Sequence, residues 1–247
     1  MTEHPAGAPV ENAMLAALSF DADATAEFAS DPRRRLTGAV RHVIDAILTR
    51  DDVDDAVLAE AADAADAIAA AIAGSPHAAT ERGRRRLEAR SHGDYLTRSP
   101  IVGPVNPLAP PLSWTVVDGA VVGHGVFHAA YEGPPGYVHG GWIALTFDEI
   151  LGMANVASAN PGMTGSLKVR YRRPTPLHTD VEFRAWTEAV DGRRVTARGT
   201  MSVDGVVTAE AEGLFVIIDP EKAWEYFGRA RGEAAPPGVA GPEGDPS

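Results

Sequence analysis

The sequence predicts an α+β fold in which a curved antiparallel sheet wraps around one long central helix, preceded by an α-helical extension. Three observations predict it. Residues 141–157 form an apolar segment of helical length, and short alternating segments separated by Asp-Gly turns lie on both sides of it. The first hundred residues show helical spacing instead. One apolar helix and one sheet with a single covered face bury each other economically.

The N-terminal part, residues 1–98, is predicted to be a helical extension. Apolar residues recur at helical spacing near 36–50 and 53–73, and the second segment ends at Gly74-Ser75-Pro76, which favours a helix stop. Together the two segments predict a helical hairpin. Its acidic residues are interpreted as a solvated face, and the Arg82–Arg86 cluster as their electrostatic partner.

A proline-rich segment, residues 99–111, follows the extension. Its five prolines are incompatible with the interior of a helix or of a central strand. The segment is therefore predicted to be a linker or an extended crossing segment.

Residues 112–228 carry the main domain, in which two strands precede the helix and four strands follow it in antiparallel succession. The predicted strands are 112–117, 120–131, 165–172, 180–190, 193–203 and 206–218. Apolar and polar residues alternate along 193–203, as expected for a sheet with one covered face. This order predicts the hotdog fold. A short helix over 219–227 and a disordered tail over 229–247 complete the prediction.

Composition narrows the classes of function. A formal net charge of −12 disfavours binding to nucleic acid or to an anionic membrane, because both are polyanions. The absence of cysteine excludes disulfides, a thiolate nucleophile and cysteine zinc sites. Because no apolar segment reaches membrane-spanning length and the N-terminus lacks a signal-peptide pattern, we expect a cytoplasmic protein that does not insert into membranes.

The segment His139–Glu149 is the most informative part of the chain. Gly140 and Gly141 open the apolar helix, where the first N–H groups have no partner within the helix and lie at the positive end of its dipole. Glycines leave these N–H groups open to an oxyanion. Asp148 follows about two turns later on a helix that is apolar on most sides, so its carboxylate must be paired, protonated or used in chemistry.

Other charged and histidine positions have simpler interpretations. Glu149, about 100° around the helix from its neighbour, is expected to pair with Arg170 or Arg172 or at a subunit interface. Two histidines, His124 and His128, stand four residues apart in a predicted strand, hence about 13 Å apart, too far to share an ion. We therefore expect no metal site. The sequence contains no nucleophile elbow, zincin helix or Walker loop.

Several segments resemble a known family, the PaaI-like and THEM4-like acyl-CoA thioesterases of the hotdog superfamily. They are Gly133–Gly141, Phe147-Asp148, Leu167–Leu177 and Ala211–Phe215. The resemblance covers roughly residues 112–225. It implies an enzyme that hydrolyses acyl-CoA thioesters to a free acid and CoA, with no cofactor other than the CoA of its substrate.

The resemblance also implies roles for individual residues. The N–H of Gly140, with Gly141 as a second donor, would polarise the thioester carbonyl. The carboxylate of Asp148 would act as general base or nucleophile, the hydroxyl of Thr164 would help to place water, and His139 would support the loop and pocket.

Two further points concern substrate binding. Arg170, Arg172 and Arg173 are candidates for binding the phosphates of CoA, although exposed strand arginines opposing acidic side chains are an equally open interpretation. Gly133 stands where some relatives carry asparagine, so any contribution of that side chain is absent or supplied elsewhere.

A homodimer or a dimer of dimers is expected, because one hotdog domain leaves a sheet edge and part of its helix uncovered. Gly140 and Asp148 could then face each other across protomers. The alternative function is a non-catalytic acyl-CoA or acyl-chain binding module whose N-terminal helices form a partner or lid domain. A hydratase is disfavoured, because its usual Asp/His spacing is absent. The acyl group, the choice between base and nucleophile and the role of the extension stay open.

Overall fold

The computed structural model of the chain describes residues 31–74 and 96–217. Its helices are α1 (Pro32–Thr49), α2 (Asp55–Ala73) and α3 (Gly140–Ala157), with a short 3-10 helix at Ala129–Tyr131. Its strands are β1 (Leu112–Val117), β2 (Ala120–Val126), β3 (Met163–Tyr171), β4 (Asp180–Asp191), β5 (Arg194–Val203) and β6 (Val206–Val216). The predicted closing helix, the predicted tail and the Arg82–Arg86 cluster lie outside the described residues.

The six strands form one antiparallel sheet in the order β1-β2-β4-β5-β6-β3. The predicted fold class is therefore confirmed. The strands after the helix do not simply follow one another in space, however, because β3 pairs with β6 and β4 pairs with β2. Helix α3 carries the chain across the sheet to its far edge, and residues 172–179 carry it back.

Helix α3 lies against the sheet and provides the centre of the core. Phe147, Ile150 and Leu151 on this helix are fully buried. Along β5 the apolar side chains Val195 and Met201 are also fully buried, whereas the arginines on the opposite face are exposed. The alternation predicted for this strand is thus confirmed, and the sheet has one face covered by the helix.

The strand predicted over 120–131 is shorter in the structure. β2 ends at Val126, and the chain turns into the 3-10 helix through a hydrogen bond from Tyr131 N–H to His128 O. The buried side chains of Phe127 and Tyr131 continue the apolar alternation of the strand, although they point inward from a turn. Periodicity alone therefore extended the strand too far.

The proline-rich segment 99–111 belongs to the core. Its residues Ile101, Val102 and Ala109 are buried. The buried Ser99 side chain accepts hydrogen bonds from the backbone N–H groups of Ile101 and Val102. Of the two predicted alternatives, the crossing segment describes this packing better than a free linker.

Both N-terminal helices were predicted. Asp31 caps α1 by accepting a hydrogen bond from Arg33 N–H, and Arg41 ties the helix to the crossing segment through a bond to Asn106 O at 2.9 Å. Every residue of α2 is exposed, so this helix adds nothing to the core, and the hairpin stays a prediction. Over 31–74 and 96–217, no helix combines the length and apolarity needed to cross a membrane.

Candidate active site

The first turn of α3 is capped by His139. Its ring Nδ1 accepts a hydrogen bond from Gly141 N–H at 3.0 Å, and its carbonyl accepts from Trp142 N–H at 2.9 Å. Because Nδ1 acts as an acceptor, the ring proton of the neutral imidazole lies on Nε2. The Gly141 N–H is therefore already engaged, which differs from the expectation of two open donors.

Gly140 provides the open donor. Among the described residues, its N–H donates no hydrogen bond. A side chain at this position would crowd Tyr171, since a Cβ built on Gly140 would lie 3.3 Å from the ring. Glycine at the start of the helix thus leaves an unpaired N–H in a residue that lines an open pocket, where the helix dipole favours a negative charge.

The loop before the helix fixes the position of its cap. His139 N–H donates to Tyr131 O, and Val138 N–H donates to Thr175 O, each at 2.8 Å. A Cβ built on Gly133 would lie 2.7 Å from the Cα of His139, closer than real contacts allow. Any side chain at this position, asparagine included, would therefore require the loop to move.

Asp148 and Thr164 lie together. The Thr164 hydroxyl donates to Asp148 Oδ1 at 2.8 Å, and no second described donor contacts this carboxylate. Thr164 precedes a bulge between Thr164 and Ser166 in the pairing of β3 with β6. Bulges re-aim side chains, so this irregularity directs the hydroxyl to the helix. The pair was expected from the resemblance, and the structure brings the two residues into contact.

Glu149 is held differently from the expected arginine pairing. Its Oε2 accepts a hydrogen bond from Ser99 Oγ at 3.1 Å. Burial raises the pKa of Glu149, the Ser99 bond lowers it, and the nearby Asp148 charge raises it further. The predicted pairing with Arg172 is wrong, because Arg172 instead bonds Glu210 at 2.8 Å, and among the described residues Glu149 forms no bond to Arg170. Pairing of Glu149 at a subunit interface stays a prediction. Ser99, on the crossing segment, is thus a hydrogen-bond partner of Glu149 that the sequence did not indicate.

An open pocket of about 360 Å³ lies beside the helix N-terminus. It is lined by Pro134, Tyr137, Val138, Gly140, Ile143, Tyr171, Arg172, Arg173, Pro174 and Thr175. Arg172 and Arg173 therefore lie at one opening together with the Gly140 donor, whereas Arg170 is not among the lining residues. Arg173 donates to Val207 O at 3.2 Å, and Arg172 is held by Glu210.

The two histidines considered as a metal pair have separate partners. His124 Nδ1 lies 3.1 Å from Asp180 Oδ1, and the His128 ring packs 5.5 Å from the His178 ring. In the part of the chain that the structure describes, no three metal-binding side chains come together.

Tyr171, like Ser99, makes a contact at this site that the sequence did not indicate. Its hydroxyl donates to Gly140 O at 2.8 Å from the end of β3. The residue lies in the Tyr-x-Arg-Pro segment of the resemblance. Nothing local in the sequence indicates that its hydroxyl meets a glycine 31 residues earlier.

Comparison with known proteins gives a consistent result. The family model for the thioesterase superfamily matches residues 135–210, which include Gly140, Asp148 and Thr164. The chain is 36% identical to the mouse (Mus musculus) acyl-coenzyme A thioesterase THEM4 over 93 residues, or 37% of this chain and 40% of that protein. The Xenopus laevis THEM4 is 35% identical over 91 residues, or 36% of this chain and 41% of that protein. The match thus spans less than half the length of these curated relatives.

A crystal structure of a thioesterase superfamily protein resembles the whole domain. It has 38% sequence identity and a TM-score of 0.68, and the similarity covers 76% of this chain and 91% of that chain. The likeness therefore extends well beyond the segment that carries the candidate site.

Proposed function

Since the chain belongs to the thioesterase superfamily, we propose that it hydrolyses acyl-CoA thioesters to a free acid and CoA. The observation that carries the proposal is the pairing of an open Gly140 N–H at the start of α3 with an Asp148 carboxylate held by Thr164 on the same helix. An oxyanion donor and a general base are the two groups that this hydrolysis needs. The curated relatives named above are acyl-CoA thioesterases, which supports this substrate class.

Gly140 stabilises the negative charge that develops on the thioester oxygen. Its N–H lies at the positive end of the α3 dipole and is not committed to another described acceptor. One well-placed donor of this kind contributes on the order of 3 kcal/mol to lowering the barrier. Because Gly141 N–H is bonded to His139, Gly140 is the donor that we assign.

Asp148 activates the attacking water. Its Oδ1 accepts the Thr164 bond, which leaves Oδ2 for the water. The water oxygen attacks the thioester carbon as its proton passes to Asp148, and the C–S bond then breaks as CoA leaves and takes up a proton. Direct attack by the carboxylate, giving a mixed anhydride that water hydrolyses, is the second route that this arrangement allows.

Two copies of the chain complete one site. Gly140 and Asp148 are eight residues apart on one helix, hence about 12 Å apart along its axis, too far for one thioester group to contact both. A homodimer would place the Asp148 of one copy opposite the Gly140 of the other. Leu145 and Met163, each 49% exposed, lie beside Asp148 and Thr164 in sequence and are suited to an apolar interface.

The nucleotide of CoA would lie at the pocket opening. Arg172 and Arg173 both line this opening, and guanidinium groups bind phosphate through paired hydrogen bonds. Arg172 is already paired with the exposed Glu210, so Arg173 is the freer of the two to turn towards a phosphate.

The experiment that tests the function measures thiol release from short, aromatic and long-chain acyl-CoA esters. We expect turnover by the wild type and loss of turnover in a folded Asp148→Asn variant. The matched control is Glu149→Gln, which removes the neighbouring charge and alters the bond to Ser99 but leaves the Asp148 carboxylate and its Thr164 bond in place. Its turnover should stay near that of the wild type.

Two outcomes would contradict the proposal. Full activity of folded Asp148→Asn would remove the carboxylate from the reaction. Tight binding of acyl-CoA by the wild type, with no thiol release from any ester, would favour the non-catalytic binding module instead.

A further inference from the structure

We propose that Tyr171 is a positioning residue of the oxyanion hole, whose hydroxyl restrains the backbone at Gly140, and so keeps its N–H in place, by holding the Gly140 carbonyl. The inference rests on the proposed hydrolytic function and adds a residue to it. Its basis is the 2.8 Å hydrogen bond from Tyr171 OH to Gly140 O. Tyr171 lies on β3, outside the helix that it contacts.

The Gly140 N–H lies in the peptide plane that joins His139 to Gly140, and the next plane, which carries the Gly140 carbonyl, meets it at the Gly140 Cα. The preceding peptide is fixed because His139 O accepts hydrogen bonds from Trp142 N–H and Ile143 N–H. The following peptide is fixed at both ends, since its carbonyl accepts from Tyr171 OH and its N–H donates to His139 Nδ1. Holding the second plane limits the φ and ψ rotations at Gly140 by which the first plane, and the N–H in it, could tilt away as the helix start frays.

Two consecutive glycines need such restraint more than other residues do. Glycine lacks a Cβ and explores more backbone conformations than any other residue, so a glycine pair at a frayed helix start would point its N–H groups in many directions. A donor stabilises a transition state best when it is oriented before the reaction begins. The Tyr171 and His139 bonds supply this orientation without occupying the Gly140 N–H.

The ring of Tyr171 adds a steric part to the same contact. A Cβ built on Gly140 would lie 3.3 Å from Cζ and from the hydroxyl oxygen of the ring. The absence of a side chain at Gly140 therefore allows the hydroxyl to reach the carbonyl. Strand β3 thus forms hydrogen bonds to α3 near both of its ends. Thr164, near its start, donates to Asp148, and Tyr171, at its end, donates to the Gly140 carbonyl.

The test compares Tyr171→Phe, which keeps the ring and removes the hydroxyl, with the wild type in the thiol-release assay. We expect kcat to fall about ten-fold, less than the 10²- to 10³-fold cost of losing a donor outright, with KM nearly unchanged. The pH profile of kcat should keep its shape, because the Asp148–Thr164 pair is untouched. Amide hydrogen exchange of a peptide spanning residues 133–145 should become faster in the variant.

The matched control is Tyr131→Phe. The Tyr131 hydroxyl also donates to a backbone carbonyl, that of Leu108 at 3.3 Å, and its removal leaves in place the Tyr131 carbonyl that accepts from His139 N–H. Its loss should lower stability and leave kcat unchanged. An equal fall in kcat in both variants would overturn the inference.

Three further results separate this inference from the proposed function. An active wild type with an inactive Asp148→Asn variant and an unchanged kcat in Tyr171→Phe would overturn the role of Tyr171 alone. A change confined to KM would also overturn it, because the hydroxyl would then contact the substrate. An inactive wild type on every ester would refute the proposed function and this inference with it.

Discussion

The hydrogen bond between Thr164 and Asp148 gives a sharp test of how the carboxylate is positioned. Thr164→Val keeps the shape of the side chain and removes the hydroxyl that donates to Oδ1 at 2.8 Å. Without this bond the carboxylate can rotate, and Oδ2 is no longer held towards the water. We therefore expect the loss to appear in kcat.

The size of the effect follows from one charge-assisted hydrogen bond. Bonds to charged groups contribute about 1.5–3 kcal/mol. Thr164 is exposed in the single chain, so water can partly replace the hydroxyl, and the lower value applies. About 1.5 kcal/mol at the transition state corresponds to a roughly ten-fold lower kcat.

The assay is steady-state thiol release at saturating acyl-CoA, with two comparison variants. Thr164→Ser keeps a hydroxyl and should retain most of the activity. Ser166→Ala removes a hydroxyl from the same strand just beyond the bulge and should leave kcat unchanged. A wild-type kcat in folded Thr164→Val, or equal losses in the Val and Ser variants, would refute the reasoning.

The remaining predictions concern Glu149 and the pocket arginines. Burial raises the pKa of Glu149 above its ordinary 4.5, so ionisation of this carboxyl destabilises the folded state as pH rises from 4.5 towards the folded-state pKa. In urea unfolding, the stability of Glu149→Gln relative to wild type should therefore increase from pH 4 to pH 7. A stability difference that does not change with pH would contradict this. Arg173→Ala should raise KM for acyl-CoA about five-fold, as expected for losing about 1 kcal/mol of phosphate binding, but leave KM for the matching acyl-pantetheine unchanged. Arg198→Ala, which breaks a pair with Glu212 away from the pocket lining, is its control, and equal changes in both variants would contradict a phosphate site.

Much of the fold was predictable because its signals are local. The apolar run of α3 and the alternation along β5 report directly which faces are buried, and Asp-Gly turns mark where strands end. The pairing of β3 with β6 could not be predicted from the residues of these strands, because it depends on the edge of the sheet at which the chain leaves α3. The burial of segment 99–111 could not be predicted either, because its prolines exclude regular structure but do not indicate whether the segment is buried.

Some residues of the candidate site could be predicted from the sequence, whereas the long-range contacts between them could not. The glycines and Asp148 could be recognised from their spacing on one helix, and Thr164 from the resemblance. The bonds of Tyr171 to Gly140 and of Ser99 to Glu149 join residues 31 and 50 positions apart, and only the folded sheet and crossing segment bring them together. The engagement of Gly141 by the His139 ring depends on a side-chain orientation that the sequence does not specify.

The most direct test of the central claim asks whether Gly140 and Asp148 act together across two copies of the chain. Gly140→Pro removes the proposed donor N–H, and proline suits this first helical position because His139 already has an extended backbone. Gly140→Pro and Asp148→Asn should each be inactive, whereas Gly140→Ala, whose Cβ crowds Tyr171 in the same way but keeps the N–H, should retain more activity than Gly140→Pro. Co-expressed in equal amounts, Gly140→Pro and Asp148→Asn should form mixed dimers with one intact site, restoring about a quarter of wild-type activity. No restored activity in confirmed mixed dimers would contradict the shared site.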